Sequence, residues 1–125
     1  MRIKNPEYYL KVFLLVFSAI LLFTFIDYLV HGLSQSFSVP DYYFRNKIIF
    51  GTIYGFIIYL FTEKMKTLPR ALAFSGIIAV LLQINYYFQG YAKWFVFLFL
   101  GLHFLMLLVS SLVMFRISKK YKWVK

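Results

Sequence analysis

Long apolar runs alternate along the chain with short polar, mostly basic interruptions. The runs cover residues 12–33, 48–62, 71–88 and 94–115, with lengths of 22, 15, 18 and 22. A membrane-spanning helix needs roughly 20 residues, with a range of about 17–25. The first and fourth runs meet this length and the third is adequate. The second spans if Lys47 and Lys64 snorkel, or if its helix begins near Tyr43. The pattern predicts an all-α polytopic membrane protein, with helices over about 10–34, 46–63, 69–89 and 93–117. Residues 1–125 then form a single domain, four transmembrane helices in an up-down-up-down bundle. The first run exceeds the roughly 7–15 residues of a signal-peptide core, and no small-residue cleavage site follows it. It is expected to stay as the first helix.

Composition sharpens this picture. Hydrophobic residues make up 62% of the 125 and charged residues 14%, against about 45–50% and about 25% in soluble domains. So short a chain cannot hide that much apolar surface around one soluble core. The absence of cysteine removes thiol catalysis, Cys-ligated zinc and iron–sulfur clusters.

The net charge of +10 belongs to the flanks and loops rather than to a nucleic-acid surface, so no nucleic-acid partner is expected. Eleven Lys and Arg fall on one side (Arg2, Lys4, Lys11, Lys64, Lys66, Arg70, Arg116, Lys119, Lys120, Lys122, Lys125). Three fall on the other: Arg45, Lys47 and Lys93. The richer side is expected in the cytoplasm, with both termini, facing anionic headgroups of the plasma or cell membrane. Tyr8, Tyr9, Tyr121 and Trp123 fit an inner aromatic belt, and Tyr42, Tyr43, Tyr86, Tyr87, Tyr91 and Trp94 an outer one.

Two connections are tight: residues 63–70, where Pro69 opens the third helix, and residues 89–93 around Gly90. The longest, residues 34–46, holds a helix-start stretch, Ser38-Val39-Pro40-Asp41, and then the aromatic Tyr42-Tyr43-Phe44. It forms either a short helix on the outer interface or a plain loop.

Candidate chemistry lies in the polar residues of the apolar runs. Asp27, His31 and His103 are the groups there that change charge near neutral or acidic pH, and the two histidines are the chain's only ones. A charge at mid-helix costs on the order of 2.5–3.5 kcal/mol, so such residues turn inward and find partners. Thr24, Asp27, His31 and Ser34 step by 3, 4 and 3, which makes one stripe on the first helix. His103 and Ser110 share a face of the fourth. Gln83 and Asn85 point nearly oppositely on the third, and Gln83, in register with Gly76 and Gly90, is the inward one.

At about 1.5 Å per residue, Asp27, His31, Gln83 and His103 all fall in the outer half, with the histidines roughly 10 Å apart in height. They are expected to form one ligand-binding cluster open to the outside. The alternative is separate structural roles: His31 in the headgroups, and His103 bonded to a carbonyl.

Three functions compete. Asp27, His31 and His103 offer one carboxylate and two imidazoles, enough for a metal ion or for passing protons. His31 and His103 are also the pair that would ligate a haem for electron transfer, with Gly32 and Gly101 easing its fit. The third reading is an accessory subunit of a larger membrane complex without its own ligand. No nucleophile–base pair, phosphate loop or carboxylate pair supports an enzyme, and no motif identifies a cofactor. Gly51 and Gly55 form a small-xxx-small face, expected to pack helix two on helix three or else to form a homodimer contact. The residues carry no resemblance to a known family.

Overall fold

The computed structural model describes residues 3–124. Their regular structure is helical: α1 (Pro6–His31), α2 (Tyr42–Phe61), α3 (Thr67–Phe88) and α4 (Lys93–Lys120), with a single 3₁₀ turn at Gln35–Phe37. α1, α3 and α4 are long and apolar enough to cross a membrane. α2 has 20 residues, about 30 Å of helix. Its first two turns carry Arg45, Asn46 and Lys47, which lower its apolarity.

The helix ends follow local chemistry. α1 begins at Pro6, four residues before the expected start at about residue 10, because Asn5 caps it. The Asn5 side chain accepts from the Tyr8 N–H at 2.9 Å, and Pro6 occupies the first turn. α1 stops at His31 rather than residue 34. α2 begins at Tyr42 after Pro40 and Asp41, so the Tyr42-Tyr43-Phe44 patch is the first turn of α2 and not a separate interfacial helix. α4 runs on to Lys120, where Lys119 and Lys120 face the negative end of its dipole.

A Schellman motif closes α4. The Trp123 N–H donates to the Ser118 carbonyl at 2.9 Å and the Lys122 N–H to the Lys119 carbonyl at 3.3 Å. Lys122 takes the left-handed conformation, φ 52°, that this motif demands.

The helices pack in ring order. α1 lies against α2 and α4, and α3 completes the ring between them, with its longest interface on α4 and its shortest on α2. The lower core is aliphatic and aromatic, with Val12, Val16, Ile20, Phe74, Ile78 and Leu107 nearly free of solvent contact. An upper cluster of Val39, Tyr43, Tyr86, Phe95, Val96 and Phe99 closes the end that holds the 32–41 connection. Tyr43 and Tyr86, assigned above to an outer belt, are therefore core residues.

The glycine face of α2 meets the expected α3 contact at Gly55 and adds a contact with α1. A Cβ on Gly51 would lie 3.2 Å from Ile20 of α1, and one on Gly55 would lie 2.8 Å from both Phe74 of α3 and Val16 of α1. The two glycines let α2 settle into the α1 side of the bundle, with α3 reached only at Gly55. Both positions are buried within the chain.

Candidate functional site

The upper third of the bundle holds a buried polar knot. α1 supplies Asp27 and His31, one turn apart on the face that also carries buried Thr24. Ser34, the expected fourth member of that stripe, lies beyond the helix end and is exposed. α4 supplies His103, α3 supplies Gln83 and Tyr86, and α2 supplies Lys47. Asp27 and His103 have no solvent exposure, and Lys47 and His31 have 3% and 4%. The cluster is thus sealed beneath the aromatic cap, not open to the outside as the depth estimate implied.

Asp27 is the hub. Its Oδ2 accepts from Lys47 Nζ, and its Oδ1 lies 2.9 Å from His103 Nε2 and 3.2 Å from His31 Nε2. Lys47 Nζ also stands 3.3 Å from His31 Nε2 and 3.4 Å from His103 Nε2. The ammonium has three donors and meets three acceptors. Its charge is further supported by the faces of Tyr86 and Phe44, at 5.1 and 5.4 Å.

The outer nitrogens of both imidazoles are committed. His31 Nδ1 lies 2.6 Å from the Phe37 carbonyl, which can only accept, so Nδ1 carries a hydrogen. Gln83 Nε2 donates to the Val96 carbonyl, which leaves its Oε1 to accept from His103 Nδ1 at 2.6 Å. Both rings therefore turn Nε2 toward Asp27, and Nε2 is a lone pair whenever the ring is neutral. His31 is held flat against Phe99, centroids 4.3 Å apart and planes 1° apart, and Tyr86 Oη reaches its Nε2 at 3.2 Å.

Asp27, His31, Gln83 and His103 are brought together as their spacing predicts, with Asn85 outside on the exposed face. Lys47 and Tyr86 join the knot without a polar-stripe signal in the sequence. Lys47 reads as a flanking charge, yet it lies in register with Tyr43, Gly51, Gly55 and Ile58, the buried face of α2. Tyr86 is three residues from Gln83, on the same side of α3. The carbonyls of Phe37 and Val96 leave no trace in the sequence.

The two histidines also stand closer in height than the helical rise predicts. Their ring centroids are 6.0 Å apart. α1 stops at His31 instead of running to residue 34, and the chain folds over it. A haem does not fit this pair. A porphyrin needs a flat slot between two facing imidazoles, and here both Nε2 atoms converge on one carboxylate oxygen, with Lys47 beside it. The metal donor set fares better: Asp27, His31 and His103 each offer one ligand atom within 4.8 Å of the others. Yet Lys47 Nζ contacts all three residues, so a metal ion would have to displace this tethered cation.

No family model, curated protein or solved structure matches the chain.

Proposed function

We infer that this is an integral membrane protein whose Asp27–His31–Lys47–His103 knot binds a proton and makes helix packing depend on it. The contact between Asp27 Oδ1 and His103 Nε2, 2.9 Å, carries the reading. With Lys47 charged, Asp27 ionised and both rings neutral, that contact joins a lone pair to an anion. One added proton on His103 Nε2 turns it into a charge-assisted hydrogen bond, for which 2.9 Å is a fitting length. α1, α2 and α4 each contribute a charged or titrating group, so gain or loss of this proton alters the attraction among three helices at once.

Lys47 favours the proton over a metal ion, because a cation already stands in the metal position. The three-ligand set supports metal binding as a second reading, which needs Lys47 to swing out toward the cleft between α2 and α3. That cleft, about 440 Å³, is lined by Lys47, Tyr43, Phe50, Gly51 and Tyr86.

The membrane setting rests on the three apolar helices, with α2 as a fourth span. With Lys47 placed inside the bundle, only Arg45 and Lys93 remain on the basic-poor side. The charge asymmetry that sets both termini in the cytoplasm is stronger for it.

The deciding experiment is nitrogen NMR of the His103 ring across a pH titration of the purified protein, wild type and Asp27→Asn. Expected is a lone-pair Nε2 at high pH that becomes protonated as pH falls, at markedly lower pH in Asp27→Asn. A His103 Nε2 that never titrates while the protein stays folded overturns the reading. Stoichiometric zinc or copper in the purified protein, lost in His103→Ala, supports the metal reading instead.

A further inference from the structure

At the opposite end of the molecule, where α2 ends and α3 begins, a cavity of about 190 Å³ opens against the C-terminal part of α4. Its walls include Tyr59, Lys66, Thr67, Arg70, Phe115 and Lys119. Three of these six are cations, and among the described residues no Asp or Glu lines the cavity. The nearest acidic residue in sequence, Glu63, is committed to Lys4 at 3.3 Å.

Arg70 is the informative member. Its guanidinium lies 3.3 Å above the Tyr59 ring, its Nη2 donates to the Tyr59 carbonyl, and its Nε donates to Thr62 Oγ1 at 3.1 Å. These contacts fix the plane of the fork and close the C-terminus of α2. They supply no counter-charge, and among the described residues no carboxylate lies within 4.0 Å of Arg70. A half-buried guanidinium held rigidly beside a cavity, with no carboxylate in contact and Glu63 acting on it only from a distance, is a preorganised half of an ion pair. The start of α3 adds to it. Lys66 stands at the N-cap and no side chain caps the helix, so the N–H groups of Thr67 and Leu68 have no intrahelical partner, and Thr67 lines the cavity.

We propose that this cavity binds the phosphate of an anionic lipid headgroup in the basic-side leaflet. Phosphate matches the guanidinium hydrogens left free by Tyr59 and Thr62, the two lysines and the free N–H at Thr67. The lipid source is favoured over free phosphate by position, because the apolar wall of Phe115 and Tyr59 adjoins the cations at the level where α3 and α4 leave the apolar zone. The proposal rests on the membrane placement above but not on the proton chemistry.

The test is thermal unfolding of the full-length protein in detergent, with phosphatidylglycerol, phosphatidylcholine or 10 mM inorganic phosphate added. One lipid bound at about ten times its Kd should raise Tm by about 5 °C. Expected is that rise with phosphatidylglycerol alone. The double variant Lys66→Gln/Lys119→Gln should lose it while keeping the lipid-free Tm. Lys120→Gln/Lys122→Gln, equal in charge but outside the cavity, should keep it. Loss in both double variants, or an equal rise with phosphatidylcholine, overturns the proposal. An equal rise with inorganic phosphate overturns the lipid source. Exclusion of the protein from membranes on fractionation would instead refute the membrane placement, a separate failure.

Discussion

Lys47 on α2 donates to the Asp27 carboxylate on α1, and neither residue is more than 3% exposed. Each is the other's opposite charge in a setting where an unpaired charge is expensive. Removing one partner therefore strands the other. Lys47→Met and Asp27→Leu are each expected to cost about 3–5 kcal/mol. Asp27→Leu/Lys47→Met, which removes both charges, should recover most of that loss, because an apolar pair of similar volume is often neutral or stabilising. Denaturant unfolding in mixed micelles checks this. Additive losses in the double variant would show that the two residues act separately.

At Gly55, α2 packs against both α1 and α3. Even a methyl group there lies 2.8 Å from Phe74 and Val16, inside van der Waals contact. Gly55→Ala should thus destabilise by about 1–3 kcal/mol through overpacking. Gly51→Ala asks Ile20 to yield only a few tenths of an ångström from 3.2 Å and should be milder. Gly101→Ala meets nothing within 4 Å and should be neutral or stabilise by about 0.5–1 kcal/mol. Thermal melts of the three single variants should rank Gly55→Ala lowest and Gly101→Ala highest. A Gly55→Ala melt equal to wild type would place that helix contact elsewhere.

The four helices and the inward turn of Asp27, Gln83 and His103 were legible because hydropathy and helical spacing carry them directly. Lys47 was not, because charge at the edge of an apolar run ordinarily snorkels toward water. Only its register with Tyr43 and Gly51 separates it from Arg45, which is exposed. Tyr86 was hidden in the same way among tyrosines that do lie at the surface, such as Tyr87. The closure of the site was not legible either. It depends on the 32–41 connection folding over His31, which brings the Phe37 carbonyl to its Nδ1, and local sequence does not encode that return.

Lys122 holds a left-handed backbone conformation, φ 52°, at the end of α4. A side chain with a Cβ pays about 1–2 kcal/mol there, and glycine does not. Lys122→Gly keeps both hydrogen bonds of the Schellman motif and is expected to raise unfolding stability by about 1 kcal/mol. Lys122→Val, branched at Cβ, should lower it. Paired melts decide this. A fall in stability with glycine would mean that the tail does not hold this turn.

Gln83 sets the state of His103 through one atom. Its Oε1 accepts from His103 Nδ1 at 2.6 Å, and its own amide is anchored on the Val96 carbonyl. Gln83→Met keeps the volume and removes the acceptor, which leaves His103 Nδ1–H buried without a partner, at a cost of about 1–3 kcal/mol. The ring then has a better choice. With the hydrogen moved to Nε2, neutral His103 donates to Asp27 Oδ1 without taking up a proton. Wild type must gain a proton to form that bond, whereas the variant forms it by changing tautomer. Nitrogen NMR at high pH should therefore show the lone pair on Nε2 in wild type and on Nδ1 in Gln83→Met. Protonation of the ring should then occur at lower pH in the variant, because it no longer creates the contact with Asp27. The same tautomer in both proteins would show that Gln83 does not orient the ring, and that the proton at the 2.9 Å contact is governed by Asp27 and Lys47 alone.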